Sequence, residues 1–218
     1  AGSLVNPELL DDCGHETTIY NSASMTLEQT VAAMRDAPEG ATVVRLHTGD
    51  PCLYGAIAEQ MRELDKLGLA YEVVPGVSSF CGAAAAIPAE YTPAEVSQTL
   101  IITRMAGRTP VPEQENLRAL ASHRASMTLF LSVSMLKDVC AELTAGGYPE
   151  DTPVAVVYKA TWPEQEVVRG TLADIAEKAA HIKKTALILV GDFLREIDKR
   201  SKLYDPAFAH ACREAETP

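Results

Sequence analysis

Aromatic residues are scarce in this 218-residue sequence, at 6%, with a single Trp. Its core must therefore be assembled mostly from Ala, Val, Leu and Ile. Paired cysteines are lacking too: Cys13, Cys52, Cys81, Cys140 and Cys212 are scattered, odd in number and never spaced as C-x-x-C. That pattern argues against a disulfide framework or a zinc site and for the reduced thiols of a cytoplasmic protein. The five histidines show no H-x-x-x-H pairing, so no protein-held metal is expected. No apolar run approaches the length of a bilayer span, and no signal peptide is visible. Positive charge is the last shortage. The balance of 30 acidic against 19 basic residues gives a net charge near −11. Such a field repels nucleic acid and anionic membrane, and an anionic ligand would need basic residues gathered locally around it.

What the chain does have is two strand-to-helix junctions rich in Gly and Pro. His47-Thr48-Gly49-Asp50-Pro51-Cys52-Leu53-Tyr54-Gly55 follows an apolar run at residues 43–46 and precedes a helix-like segment. Tyr71-Glu72-Val73-Val74 then leads into Pro75-Gly76-Val77-Ser78-Ser79-Phe80 and an alanine-rich stretch. In open α/β sheets, ligands bind at the carboxyl edge of the strands, where such junctions lie. The pair points to a small-molecule site.

Periodicity places these junctions in an α/β chain. Thr26-Leu27-Glu28-Gln29 has capping-box spacing, with Leu27, Val31 and Met34 on one helical face until Pro38 and Gly40 end it. Residues 42–47 read as a strand. Asp50 and Pro51 read as a helix start, with Ile57, Met61 and Leu64 continuing to a stop at Gly68. Residues 70–74 form a second strand, Ser78 a second cap, and 98–103 a third strand. Alternation of this kind implies a parallel sheet in the first domain. The segment 104–112, with Gly107, Pro110, Pro112, Arg104 and Arg108, reads as a linker, giving domains at 1–106 and 107–218. Beyond it, strands are expected at 127–131, 154–158 and 186–190, with 166–169 an antiparallel neighbour. Helices are expected at 135–145, closed by Gly146-Gly147, and from a Thr171 cap to about His181. The second sheet is therefore mixed. The tail, 199–218, reads as a terminal helix that frays.

Each motif has a plain reading beside a chemical one. Gly49 lets a backbone approach a ligand closely, and Asp50 either caps a helix or pairs with an ammonium or sulfonium. Ser78 and Ser79 are helix caps or face the same pocket as Thr48 and Gly49. Lys159-Ala160-Thr161-Trp162-Pro163 is a surface turn or a second wall of the pocket. Arg104, Arg108, Lys159 and Arg169 are the cations most able to collect around carboxylates. No Ser/His/Asp or Cys/His set has a recognisable signature, which leaves a hydrolase without support.

Residues 43–55, 73–82, 104–112 and 152–163 with Val167-Val168-Arg169 together resemble the tetrapyrrole (corrin/porphyrin) methylases, over residues 1–193. Three stretches are most similar to the members that methylate precorrin-4, with or without cobalt, at C11. They are Ala1-Gly2-Ser3-Leu4-Val5-Asn6-Pro7, Gly107-Arg108-Thr109-Pro110-Val111-Pro112-Glu113 and Tyr158-Lys159-Ala160-Thr161-Trp162-Pro163. The resemblance implies a two-domain α/β homodimer that binds S-adenosylmethionine in the cleft between its domains and releases S-adenosylhomocysteine. It implies cofactor contacts from Thr48, Gly49, Asp50, Leu53, Ser78 and Ser79, and from Leu131, Ser132 and Ala160. Arg104 and Arg108 are the residues expected to hold the polycarboxylate macrocycle. The alternatives are a sibling acting on uroporphyrinogen III, precorrin-2 or precorrin-3, or a chain that binds the cofactor without turnover. Family members open with a strand and a Gly-x-Gly-Pro-Gly-Asp-Pro loop. Neither is among these residues, so the first sheet is expected to lack its first strand.

Overall fold

Five strands form one mixed sheet in the order β1-β2-β5-β3-β4: β1 Leu100–Arg104, β2 Ser126–Phe130, β3 Pro153–Tyr158, β4 Glu166–Thr171 and β5 Ala186–Val190. The computed structural model that shows this describes residues 1–198 and 200–215. β1 and β2 are parallel, β5 runs antiparallel to both β2 and β3, and β4 is antiparallel to β3. The carboxyl ends of β1, β2 and β3 therefore lie along one edge of the sheet.

Alternation within these strands sorts the two faces. Met127, Leu129, Val154, Val156, Ile188 and Val190 point into a core built with three helices: α4 (Leu117–Ala121), α5 (Leu136–Ala145) and α6 (Ile175–Lys178). Leu143, Val139 and Ile175 are fully buried there. Each large aliphatic side chain so enclosed contributes about 1.5–3 kcal/mol relative to exposure. The other face carries Ser126, whose hydroxyl donates to the Tyr91 carbonyl (2.5 Å), and Arg169, which donates to the Ile87 carbonyl (3.2 Å). Residues 87–97 are thereby tied across that face, and Tyr91 meets Phe193 at 5.0 Å between ring centroids. The low aromatic content leaves aliphatics to fill both layers.

The contact pattern divides the chain into Ala1–Cys81 and Gly82–Pro218, not after residue 106. The reason is the pairing of β1: its ladder runs from Leu100↔Ser126 to Arg104↔Phe130. The strand expected to close the first domain thus belongs to the second sheet. The linker-like segment after it follows a strand of the unit it was expected to introduce.

In Ala1–Cys81 the expected parallel sheet is not formed. Residues 42–47 and 70–74 are extended but carry no strand ladder, and Val43, Val44, Val73 and Val74 are exposed. Their composition suits strands, but neither has a pairing partner among the described residues, and β-propensity acts only through neighbours. The helices fare better. In α1 (Leu27–Arg35) the capping box forms: Gln29 N–H donates to Thr26 Oγ1 (3.3 Å), and Thr26 N–H donates to Gln29 Oε1 (2.9 Å). α2 spans Ile57–Lys66 and ends at Gly68, in the left-handed region at φ 67°. It does not begin at Asp50. Left-handed backbone at Tyr54 and Ala56 turns the chain first, so residues 51–54 are a turn. α3, Ser79–Ala86, starts one residue after Ser78.

Two further expectations change. The helix after Thr171 is the single turn α6, because Asp174 Oδ1 accepts the Thr171 amide (2.7 Å) and holds a turn before it. In the tail, Lys202–Tyr204 makes one 3-10 turn and His210 bridges Arg213. Lys199 and residues 216–218 of the expected terminal helix lie outside the described residues.

Candidate functional site

In the amino-terminal unit the two junctions meet through their backbones. A Cβ on Gly76 would lie 2.1 Å from the Gly49 carbonyl oxygen, and one on Gly49 would lie 2.9 Å from the Ser79 amide nitrogen. Gly49 also sits at φ 69°. Only glycine meets both demands, close approach and left-handed backbone. Asp50 completes the junction: Oδ1 accepts the Cys52 amide and Oδ2 accepts the Gly76 amide, each at 2.8 Å. These two amides, Gly76 first, hold the Asp50 carboxyl below its ordinary value. Partial desolvation, followed by the hydrogen bond to Asp50, pushes the neighbouring Cys52 thiol up. Around this joint Thr48 is exposed, Leu53 and Ser79 are half-buried, and Ser78 is buried.

In the carboxyl-terminal unit the sequence-derived residues gather at the shared edge of β1, β2 and β3. Leu131 follows β2 at φ 53° and is exposed; Lys159 and Thr161, either side of Ala160, follow β3 at φ 43° and 72°. Left-handed backbone costs non-glycine residues on the order of 1–3 kcal/mol each, and such strain collects at functional sites. Ser132 is fully buried: its hydroxyl accepts from the Met105 amide (2.9 Å) and donates to the Phe130 carbonyl (2.7 Å). It joins the ends of β1 and β2. Gly82 packs against this edge, with Thr161 Cγ2 3.3 Å and Ala160 Cβ 3.9 Å from where its own Cβ would stand.

The basic residues have mixed fates. Arg104 donates to the carbonyls of Thr109 (3.2 Å) and Pro110 (2.6 Å), fastening the loop after β1. Arg108, on that loop, is exposed. Lys159 pairs with Glu164 at 2.9 Å and lies 4.6 Å from the Trp162 ring centroid, a cation–π contact. Its pKa is raised, chiefly by the bond to Glu164. Arg169 is spent on the Ile87 carbonyl. Sequence reasoning did not foresee the Asp50–Gly76 bond; its only trace was a glycine following Pro75 in the second junction. It also missed the strain at Leu131, which no residue type announces.

Among the described residues no group of His, Cys, Asp and Glu is arranged to hold a metal, and no helix is long and apolar enough to cross a membrane. All five cysteines are free thiols.

A mixed β1-β2-β5-β3-β4 sheet with strained strand ends, preceded by glycine-built junctions, defines an α/β protein of the kind that binds small molecules at strand edges. The profile of the tetrapyrrole (corrin/porphyrin) methylases matches residues 3–176, and the chain belongs to that family. It is 54% identical over 219 residues to the cobalt-precorrin-4 C(11)-methyltransferase of Methanocaldococcus jannaschii, covering 99% of this chain and 85% of that one. Its structure is similar to a solved cobalt precorrin-4 methyltransferase of cobalamin biosynthesis, with TM-score 0.85 and 47% identity over 89% of this chain and 82% of the other. It also shares its fold with the uroporphyrin-III C-methyl transferase of Thermus thermophilus solved with S-adenosyl homocysteine. That match has TM-score 0.73 and 23% identity, covering 89% of this chain and 84% of that one.

Proposed function

We propose that the chain is an S-adenosylmethionine-dependent methyltransferase acting at C11 of precorrin-4 or its cobalt form, in cobalamin biosynthesis. The likeness over almost the whole chain to an enzyme named for that reaction carries the reading. The residues suit such a donor. Thr48 and Ser79 offer hydroxyls beside a glycine-built junction, and the left-handed turns at Leu131 and around Ala160 carry the main chain out of the ladder at the strand ends.

When bound, S-adenosylmethionine supplies a sulfonium methyl; the C–S bond breaks as a C–C bond forms, and S-adenosylhomocysteine leaves. The chain's own part is to bind and align. Thr48, Gly49, Leu53, Ser78, Ser79, Leu131, Ser132 and Ala160 are the residues we assign to the donor, and Asp50 acts through the main chain of the loop that carries Thr48 and Gly49. Alignment of donor and acceptor can remove about 7–11 kcal/mol of barrier, so no protein nucleophile is required. Arg108 meets macrocycle carboxylates, with Arg104 shaping its loop. We place the enzyme in the cytoplasm as a homodimer, in keeping with its family likeness and its scattered thiols.

Incubation with precorrin-4 and methyl-labelled S-adenosylmethionine tests the reading. Label at C11 is expected; no transfer, or transfer to another ring position, overturns it. Arg108→Ala should weaken macrocycle binding about tenfold while leaving S-adenosylhomocysteine affinity unchanged.

A further inference from the structure

We infer that Asp50 is a positioning residue whose carboxylate clamps the two junctions of the amino-terminal unit together and so sets the shape that receives the methyl donor. The inference rests on the proposed function for its ligand, but not for its geometry.

One oxygen closes the local turn through the Cys52 amide; the other reaches the Gly76 amide, 26 residues away. Among the described residues no main-chain hydrogen bond joins these segments. Residues 42–47 and 70–74, which lead into them, have no ladder. The contact is closer than any side chain allows, as the 2.1 Å gap between a Gly76 Cβ and the Gly49 carbonyl oxygen shows. Two opposed amides need two acceptors at one point, and a carboxylate supplies them. An asparagine keeps one acceptor and turns an NH₂ against the other amide. With one oxygen on each main-chain amide, Asp50 shapes the ligand site through the backbone it holds. Gly49 and the Ser78–Ser79 segment move with it.

The test compares the wild-type chain with Asp50→Asn, Asp50→Ala, Asp50→Glu and Gly76→Ala. S-adenosylhomocysteine affinity is measured by calorimetry, and exchange of the Gly76 amide is followed in the ligand-free protein. Circular dichroism confirms folding. Asp50→Asn and Asp50→Ala should each weaken binding about tenfold, the loss of one charge-assisted hydrogen bond, and both should speed exchange at Gly76. Asp50→Glu, with both acceptors kept, should restore part of each. Gly76→Ala keeps the carboxylate but forces the junctions apart, and it should weaken binding as well. Unchanged affinity in Asp50→Asn or in Gly76→Ala overturns the inference. So does lost affinity with Gly76 exchange unaltered, since that would make Asp50 a direct ligand. A wild-type chain that binds no S-adenosylhomocysteine would sink the proposed function, while the exchange data still decide the clamp.

Discussion

The contact between residues 48–50 and 75–79 and the strand ends at 131–132 and 159–161 solve one problem in opposite ways. Both must hold backbone in conformations that ordinary residues resist. The junctions use residues that do not resist, Gly49 and Gly76, and fix them with a single carboxylate. The strand ends use Leu131, Lys159 and Thr161, which do resist, and impose the conformation from a ladder of five strands. A sheet can enforce strain because its pairings and the packed core beneath it over-determine the position of each strand end. The loop contact has no ladder to enforce it, so glycine stands where the two backbones meet, and non-glycine residues turn left-handed only further along, at Tyr54 and Ala56 before α2.

The largest effect belongs to a side chain added where the junctions meet. Gly49→Ala places a methyl against the Ser79 amide at a left-handed position and should cost roughly hundredfold in S-adenosylhomocysteine affinity; calorimetry reads it. Next is the hydroxyl that ties two strand ends. Ser132→Ala removes the bonds from the Met105 amide and to the Phe130 carbonyl and should lower stability by about 1–3 kcal/mol in urea denaturation. A smaller effect of opposite sign is expected at Leu131. Leu131→Gly relieves the φ 53° strain and should raise stability by up to about 1 kcal/mol, while methyl transfer falls. Destabilisation there would mean the strand end is not strained and would break the comparison.

Much of the second unit was legible because its elements are strongly periodic. β3, β4 and β5 and the helix closed by Gly146-Gly147 fall within a residue or two of their expected places. The capping box at Thr26 was readable for the same reason: its bonds are local. Long-range partnership was not readable. Leu100–Arg104 reads as a strand from its own residues, but only pairing with Ser126–Phe130 assigns it to the second sheet. Residues 42–47 look as strand-like as any, yet no neighbour among the described residues completes them. The site shows the same limit. Gly-Asp-Pro marked a ligand-binding turn, whereas the bond from Asp50 to Gly76 depends on a glycine 26 positions on.

The smallest predicted effect is on pH dependence. Asp50 has a folded-state carboxyl below its ordinary 3.8. Its contribution is therefore complete above that value and lost as pH falls through the lower folded one. Protection of the Gly76 amide should be flat through neutral and mildly acidic solution and then drop. Asp50→Asn should show no such drop.

The state of Cys52 bears on selectivity. The donor proposed for this loop is an alkylating agent, and a thiolate is among the best targets a protein can offer it. Partial desolvation, and after it the Asp50 carboxylate, push the Cys52 thiol up, away from its thiolate form. The same carboxylate that shapes the loop thus also disfavours the reactive form of the thiol two residues along.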